Sequence, residues 1–197
     1  VPAAVSALVS AGAAMVDTDL KRIIAYSTVS QLAFIFLGLS VGNDVGTIGA
    51  LLYILMHGFA KAGLFLCAGV VEQNMHVKDI TRLGGLIKTM PFTAVAFLLC
   101  MFSVMGIPPF GGFFSKYFVI AGSLTSGHYW ISAVFLLGAF MTIIYLFRVF
   151  VLVFMGEPKA TPAPEKSPLM VFSVASLAVF SLASGLLVSF PYSFAKS

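Results

Sequence analysis

Apolar residues in this chain come in long, unbroken stretches rather than in one-sided or alternating patterns. The stretches cover about 1–16, 23–41, 45–71, 91–123, 129–155 and 168–190, with short polar clusters between them. A hydrocarbon core of ~30 Å takes about 20 helical residues to cross, and backbone groups inside it must bond to one another. The stretches therefore predict membrane-spanning helices. Barrel strands would alternate apolar and polar residues, and these do not. The first stretch ends at Asp17-Thr18-Asp19-Leu20-Lys21-Arg22 and reads as a truncated helix leaving the membrane. The chain opens at Val1-Pro2 with neither a Met nor a charged leader, so it reads as a fragment. Gly42-Asn43-Asp44 is a compact turn signal. Segment 72–90, carrying Lys78, Asp79, Arg82, Lys88 and the pair Gly84-Gly85, suits an amphipathic piece lying at the interface.

One stretch is interrupted. Over 106–112 the order Gly-Ile-Pro-Pro-Phe-Gly-Gly places Pro108 and Pro109, which cannot donate backbone hydrogen bonds, among Gly106, Gly111 and Gly112, which relax the chain. The piece after the interruption is too short to cross a bilayer alone, so 91–123 is expected to form one broken span. The basic residues test this reading. With one broken span, Lys21, Arg22, Lys78, Arg82, Lys88, Arg148, Lys159 and Lys166 fall on one side and Lys196 alone on the other. Counting two spans there spoils the asymmetry. The positive-inside rule thus favours six spans with the basic side facing the cytoplasm or matrix. The expected fold is all-α: a single polytopic transmembrane helix bundle containing a discontinuous helix.

Composition sharpens this picture. Of the 197 residues 60% are hydrophobic and 9% charged, and the mean hydropathy is +1.06, values outside those of soluble domains. The net charge of +4 comes from lysines and arginines gathered in loops, a topology signal and not a footprint for nucleic acid. Cys67 and Cys100 sit in apolar stretches without the spacing of a zinc or iron-sulfur site, so no metal and no cofactor are expected.

Lys61 and Lys116 stand apart because each lies inside an apolar segment, where an ammonium is costly unless it faces the protein interior or a wet cavity. His57 precedes Lys61 by four positions and shares its helix face, and both groups can exchange protons. That is the minimum equipment of a proton relay. Lys116 follows the break at Pro108, Pro109, Gly111 and Gly112, and broken helices in transporters expose carbonyls that line ion paths. A snorkelling Lys61, a carbonyl-bonded His57 and an interfacial Lys116 beside a kink are the structural alternatives. Asp19, Lys21 and Arg22, with Asp17, form a charged cluster that is either an ion entry or a set of interfacial pairs. Ser27, Thr28, Ser30 and Gln31 read either as polar contacts between helices or as carriers of water, His76 and His128 as solvated, and Gly58 and Gly63 as close-packing positions.

Three of these motifs carry a family resemblance. Asp19-Leu20-Lys21-Arg22-Ile23-Ile24-Ala25-Tyr26-Ser27-Thr28-Val29-Ser30-Gln31 resembles a stretch shared by the antiporter-like subunits of complex I (NuoL, NuoM, NuoN), Mrp antiporter subunits and membrane-bound hydrogenases, with wording most like NuoL. His57-Gly58-Phe59-Ala60-Lys61-Ala62-Gly63-Leu64 is similar to that family's central relay helix, and Gly106 to Lys116 to its second discontinuous helix. The resemblance implies the second inverted repeat plus the final helix of the antiporter-like fold. It also implies Lys61 as central relay group, His57 as its neighbour and Lys116 as terminal group. The function implied is proton translocation in an energy-transducing membrane, such as a prokaryotic inner membrane, by a subunit that holds no redox centre. Its implied partners are the bilayer, protons and the other membrane subunits of a respiratory, hydrogenase or Mrp complex. Sodium/proton exchange of the Mrp type is the alternative within transport. A structural scaffold for a redox complex is the alternative outside it.

Overall fold

The computed structural model describes residues 1–158, 164–165 and 167–187; Lys159, Lys166, Lys196 and residues 188–190 of the last expected span lie outside the described residues. Seven α-helices occupy the described residues: α1 (Pro2–Val16), α2 (Leu20–Leu39), α3 (Asp44–Met75), α4 (Pro91–Met105), α5 (Gly111–Thr125), α6 (Tyr129–Phe154) and α7 (Pro168–Leu186). Between α3 and α4 lie two short 3-10 turns, Ile80–Arg82 and Leu86–Lys88.

Helix ends follow local chemistry. Asp19 caps α2 by accepting from the Arg22 N–H at 3.1 Å, and Asn43 caps α3 by accepting from the Gly46 N–H at 2.8 Å. Prolines sit in the first turns of α1, α4 and α7, where a missing N–H costs nothing. His76 and Gly106 adopt left-handed backbone (φ 53° and 84°) and stop α3 and α4. α3 continues past the expected boundary at 71 to Met75. The polar residues there keep helical bonds while their side chains are satisfied: Glu72 pairs with Lys21 at 2.8 Å, and Asn74 donates to the Val70 carbonyl at 2.9 Å. Segment 76–90 is then a folded loop that carries the two 3-10 turns.

α2, α3, α6 and α7 are each long and apolar enough to cross a membrane, whereas α1 and α4 are shorter apolar helices. α4 and α5 have 15 residues each, about 22 Å, so neither crosses alone. Together they do. The Cys67 thiol donates to the Thr93 carbonyl at 3.7 Å. Further along, Gly63 faces Cys100, Met56 faces Gly111, Gly49 faces Val119 and Gly46 faces Gly122. Positions rise along α4 and α5 as they fall along α3, with one register through the break. The pair is a single discontinuous span antiparallel to α3.

The connections confirm that the break does not reverse the chain. The Leu20 N–H donates to the Lys78 carbonyl (3.0 Å), Ile80 to Thr18 (2.9 Å) and Gly85 to Met155 (2.8 Å). Arg148 donates to the carbonyls of Met15 and Asp17 at 2.8 and 2.9 Å. Thus the α1–α2 and α3–α4 connections and the end of α6 meet on one face, which carries Lys21, Arg22, Lys78, Arg82 and Lys88. α3 forms the centre of the bundle, flanked by α2, α4, α5 and α7. Large apolar side chains such as Phe36, Phe92, Phe140 and Phe172 remain exposed around the outside, as suits helices solvated by lipid.

Close packing selects particular glycines. A Cβ on Gly49 would lie 2.7 Å from the Val119 backbone nitrogen, and one on Gly63 would strike the Cys100 sulfur. Among the described residues Gly58 has nothing within 4 Å and faces outward, so of the two glycines near the His57–Lys61 turn Gly63 is the packing position there. Gly49→Ala should therefore lower the thermal unfolding midpoint in detergent by a cost of about 1–3 kcal/mol. Gly58→Ala should leave it unchanged or raise it. Equal effects of the two substitutions would contradict this packing.

Candidate functional site

The polar groups of the spanning helices converge between α2, α3, α5 and α6. Lys61 and His57 project one turn apart from the inward face of α3, and Lys116 projects from α5; they are 4%, 7% and 6% exposed. Lys61 Nζ donates to Ser27 Oγ at 2.6 Å and to the Ile24 carbonyl at 3.2 Å, both on α2. Because Ile24 lies in the second turn of α2, the Lys61 head reaches toward the basic face.

Lys116 owes its place to the break. In an intact helix the N–H of residue 108 would satisfy the Val104 carbonyl, and that of residue 109 the Met105 carbonyl. Both positions are proline and have no N–H. Lys116 Nζ supplies the missing donors, reaching Val104 O at 2.6 Å and Met105 O at 3.1 Å. The approach is close: a Cβ on Gly112 would strike the Ser103 carbonyl, one on Gly111 the Met56 sulfur, and one on Gly185 of α7 the Pro109 carbonyl. The residues expected to break the helix thus also shape the lysine's seat.

The Lys116 ammonium lies 5.9 Å from the centre of the Tyr53 ring, within reach of a cation–π contact. Tyr53 also meets His57 edge-on, ring centres 6.3 Å apart, and its hydroxyl donates to Gln31 Oε1. Gln31 Nε2 donates to Thr142 Oγ1 at 3.2 Å, and the Tyr145 hydroxyl donates to Ser27 Oγ at 2.6 Å. Polar side chains therefore connect the neighbourhood of Lys116 with Lys61. Both ring nitrogens of His57 are buried without a hydrogen-bond partner among the described residues.

The residue types on α2 are visible in sequence as helix-to-helix contacts, and the structure makes Ser27 and Gln31 part of the site. Tyr53, Thr142 and Tyr145 were not anticipated. The available signal was Thr142 and Tyr145 three positions apart in the apolar middle of a helix. Cys67 and Cys100 pack between α3 and α4, and no group of metal-ligating side chains forms among the described residues.

The charged cluster lies at the basic face, outside this string. Arg22 pairs with Asp17 at 2.9 Å, Lys21 with Glu72 at 2.8 Å, and Lys78 with Glu72 at 3.7 Å, while Asp19 caps α2. Burial raises the Asp17 carboxyl, but the Asp19 N–H and the Arg22 guanidinium outweigh it and hold the group below the usual carboxylate range. The Thr81 hydroxyl and N–H do the same for Asp79.

Comparison with known proteins agrees with this architecture. The family described as NADH:quinone oxidoreductase/Mrp antiporter, transmembrane, matches residues 1–142. The chain is 41% identical over 136 residues to NADH-quinone oxidoreductase subunit N of Desulforudis audaxviator, covering 69% of this chain and 27% of that protein. It is 40% identical over 182 residues to subunit L of Campylobacter jejuni, covering 91% and 30%. A chain of the Mrp complex from Dietzia sp. superposes with a TM-score of 0.94 at 24% identity, over 98% of this chain and 44% of that one. The chain thus spans less than a third of the length of these two curated relatives.

Thr142 is the fixed point of the string, so Thr142→Val should strand the Gln31 amide in the interior. The expected loss is about 1–3 kcal/mol, read as a lower thermal midpoint in detergent, with Thr142→Ser close to the parent. A Val variant as stable as the parent would show that the amide has another partner.

Proposed function

The chain belongs to the NADH:quinone oxidoreductase/Mrp antiporter transmembrane family, and from that premise we propose that it moves protons across an energy-transducing membrane through a relay of Lys61, His57 and Lys116. The observation that carries this reading is the company the two lysines keep. Each ammonium is buried and held by neutral oxygens: a serine and a carbonyl for Lys61, two carbonyls for Lys116. A carboxylate partner would lock the charge in place, whereas neutral acceptors let the amine exist with or without its proton.

His57 stands one turn from Lys61. Like charges in one buried site repel, so a proton arriving at His57 favours departure of one from Lys61, and the reverse. Both His57 ring nitrogens lack a hydrogen-bond partner among the described residues, and a buried imidazole needs one, a need that a water carrying the proton would meet. In this reading the chain works beside other membrane subunits of a redox-driven complex, whose peripheral chemistry perturbs the charges along the row. Asp19, Lys21 and Arg22 anchor the loops of the basic face and are not part of the relay.

Sodium exchange is the second reading, and it is less well supported. Sodium prefers several oxygen ligands, carboxylates included, and among the described residues every Asp and Glu sits at a helix end or in a connection.

The test is Lys61→Ala in the full-length subunit within its assembled complex, with proton uptake into sealed vesicles driven by the complex's own electron donor. Uptake should fall by about tenfold or more with assembly intact. Undiminished uptake removes Lys61 from the relay, loss of assembly favours a scaffold, and uptake that requires sodium favours exchange.

A further inference from the structure

Lys61 shares its serine. Ser27 Oγ receives both Lys61 Nζ and the Tyr145 hydroxyl, each at 2.6 Å. The direction of the bonds beyond it is anchored at one end. Thr142 Oγ1 donates to the Gly138 carbonyl at 2.7 Å, a group that can only accept. Thr142 must therefore accept from the Gln31 amide, which turns the Gln31 carbonyl to the Tyr53 hydroxyl. The single proton of Tyr145 goes to Ser27 at 2.6 Å and not to Thr142 at 3.4 Å.

Two consequences follow for proton traffic. A primary amide passes a proton only through its high-energy imidic acid form, so the string that contains Gln31 orients groups and does not conduct. Ser27, moreover, has one proton and two donors facing it. When Lys61 is charged, Lys61 and Tyr145 both donate to the two lone pairs of Ser27 Oγ, and two donors on one oxygen weaken each other. When Lys61 is neutral, its lone pair accepts the Ser27 proton, and the Tyr145 bond then strengthens Ser27 as a donor.

We infer that Tyr145 is a positioning residue for the relay: acting through Ser27, it favours the neutral state of Lys61 and so promotes proton release. The inference rests on the relay reading of Lys61. Other titratable groups on the surrounding helices are His57, Tyr53 and Cys67 on α3, with Asp44 and Glu72 at its two ends, Cys100 on α4, Lys116 and the exposed Tyr117 on α5, and the exposed Tyr129 at the start of α6. Arg148 of α6 is turned to the α1–α2 carbonyls, Lys21, Arg22 and Tyr26 of α2 lie toward the basic end, and α1 and α7 contribute none.

Tyr145→Phe keeps the ring and removes the donor. In the assembled full-length complex, electron-donor-driven proton uptake is measured across a pH series for this variant, for Ser27→Ala and for the double variant. With the donor gone, Lys61 stays loaded to higher pH, and the alkaline limb of the profile should move up by about half a pH unit. In the Ser27→Ala background the same substitution should add no shift. An unmoved profile, a shift to lower pH, or an equal shift without Ser27 overturns the inference. If Tyr145→Phe does not assemble, Ser27→Thr against Ser27→Ala reads the same junction: Thr should keep the parent profile and Ala should displace it, and identical profiles overturn the inference. Lys61→Ala in parallel separates the two proposals, since pumping without Lys61 sinks the relay itself, whereas a dead Lys61→Ala beside an unshifted Tyr145→Phe sinks only the positioning role.

Discussion

Pro108 and Pro109 free the carbonyls of Val104 and Met105, and the ammonium of Lys116 binds both. Much of the surrounding structure is arranged to permit this contact. α4 must end at Gly106 in left-handed backbone, and α5 must restart close enough for Gly112 to pack on the Ser103 carbonyl. α3 must keep one register with both halves, which the glycines at 46, 49 and 63 allow. α7 closes the back through Gly185. In lipid an unsatisfied carbonyl is expensive and so is an unsolvated ammonium; placing one against the other offsets both costs, and the lysine is held without a counter-ion among the described residues.

Lys61 solves the same problem differently. Its helix is unbroken, so the acceptors come from a neighbouring helix: the Ile24 carbonyl and the Ser27 hydroxyl. A hydroxyl is a flexible partner, because it can accept from an ammonium and donate to an amine. A carbonyl can only accept. The two lysines thus differ in what their surroundings could offer an uncharged amine, and Ser27, with Tyr145 behind it, is where that difference resides.

The charges at the basic face play a quieter part. They are tied into caps and ion pairs that join the α1–α2 connection to the end of α3 and the loop after it, and Arg148 extends the tie to α6. This fixes the depth of α2 against α3. Since Ile24 and Ser27 lie only one and two turns beyond Asp19, that depth sets where the Lys61 head finds its acceptors.

What the sequence alone determined was the solvent, the helices and the break. Long apolar stretches can satisfy their backbone in lipid only as helices, consecutive prolines cannot continue one, and loop lysines and arginines choose a side; each of these is a local rule. It also marked Lys61, His57 and Lys116, because a charge or an imidazole in an apolar run is anomalous wherever it stands. The tertiary structure decided the partners. That Lys116 takes the carbonyls of residues 104 and 105, that Tyr145 reaches Ser27 across 118 positions, and that Gly63 packs while Gly58 faces outward all depend on which helices are neighbours and how each is rotated about its axis. With helices apolar on nearly every side, hydrophobicity sets no rotation, and close packing together with the pairing of scarce polar groups chooses it.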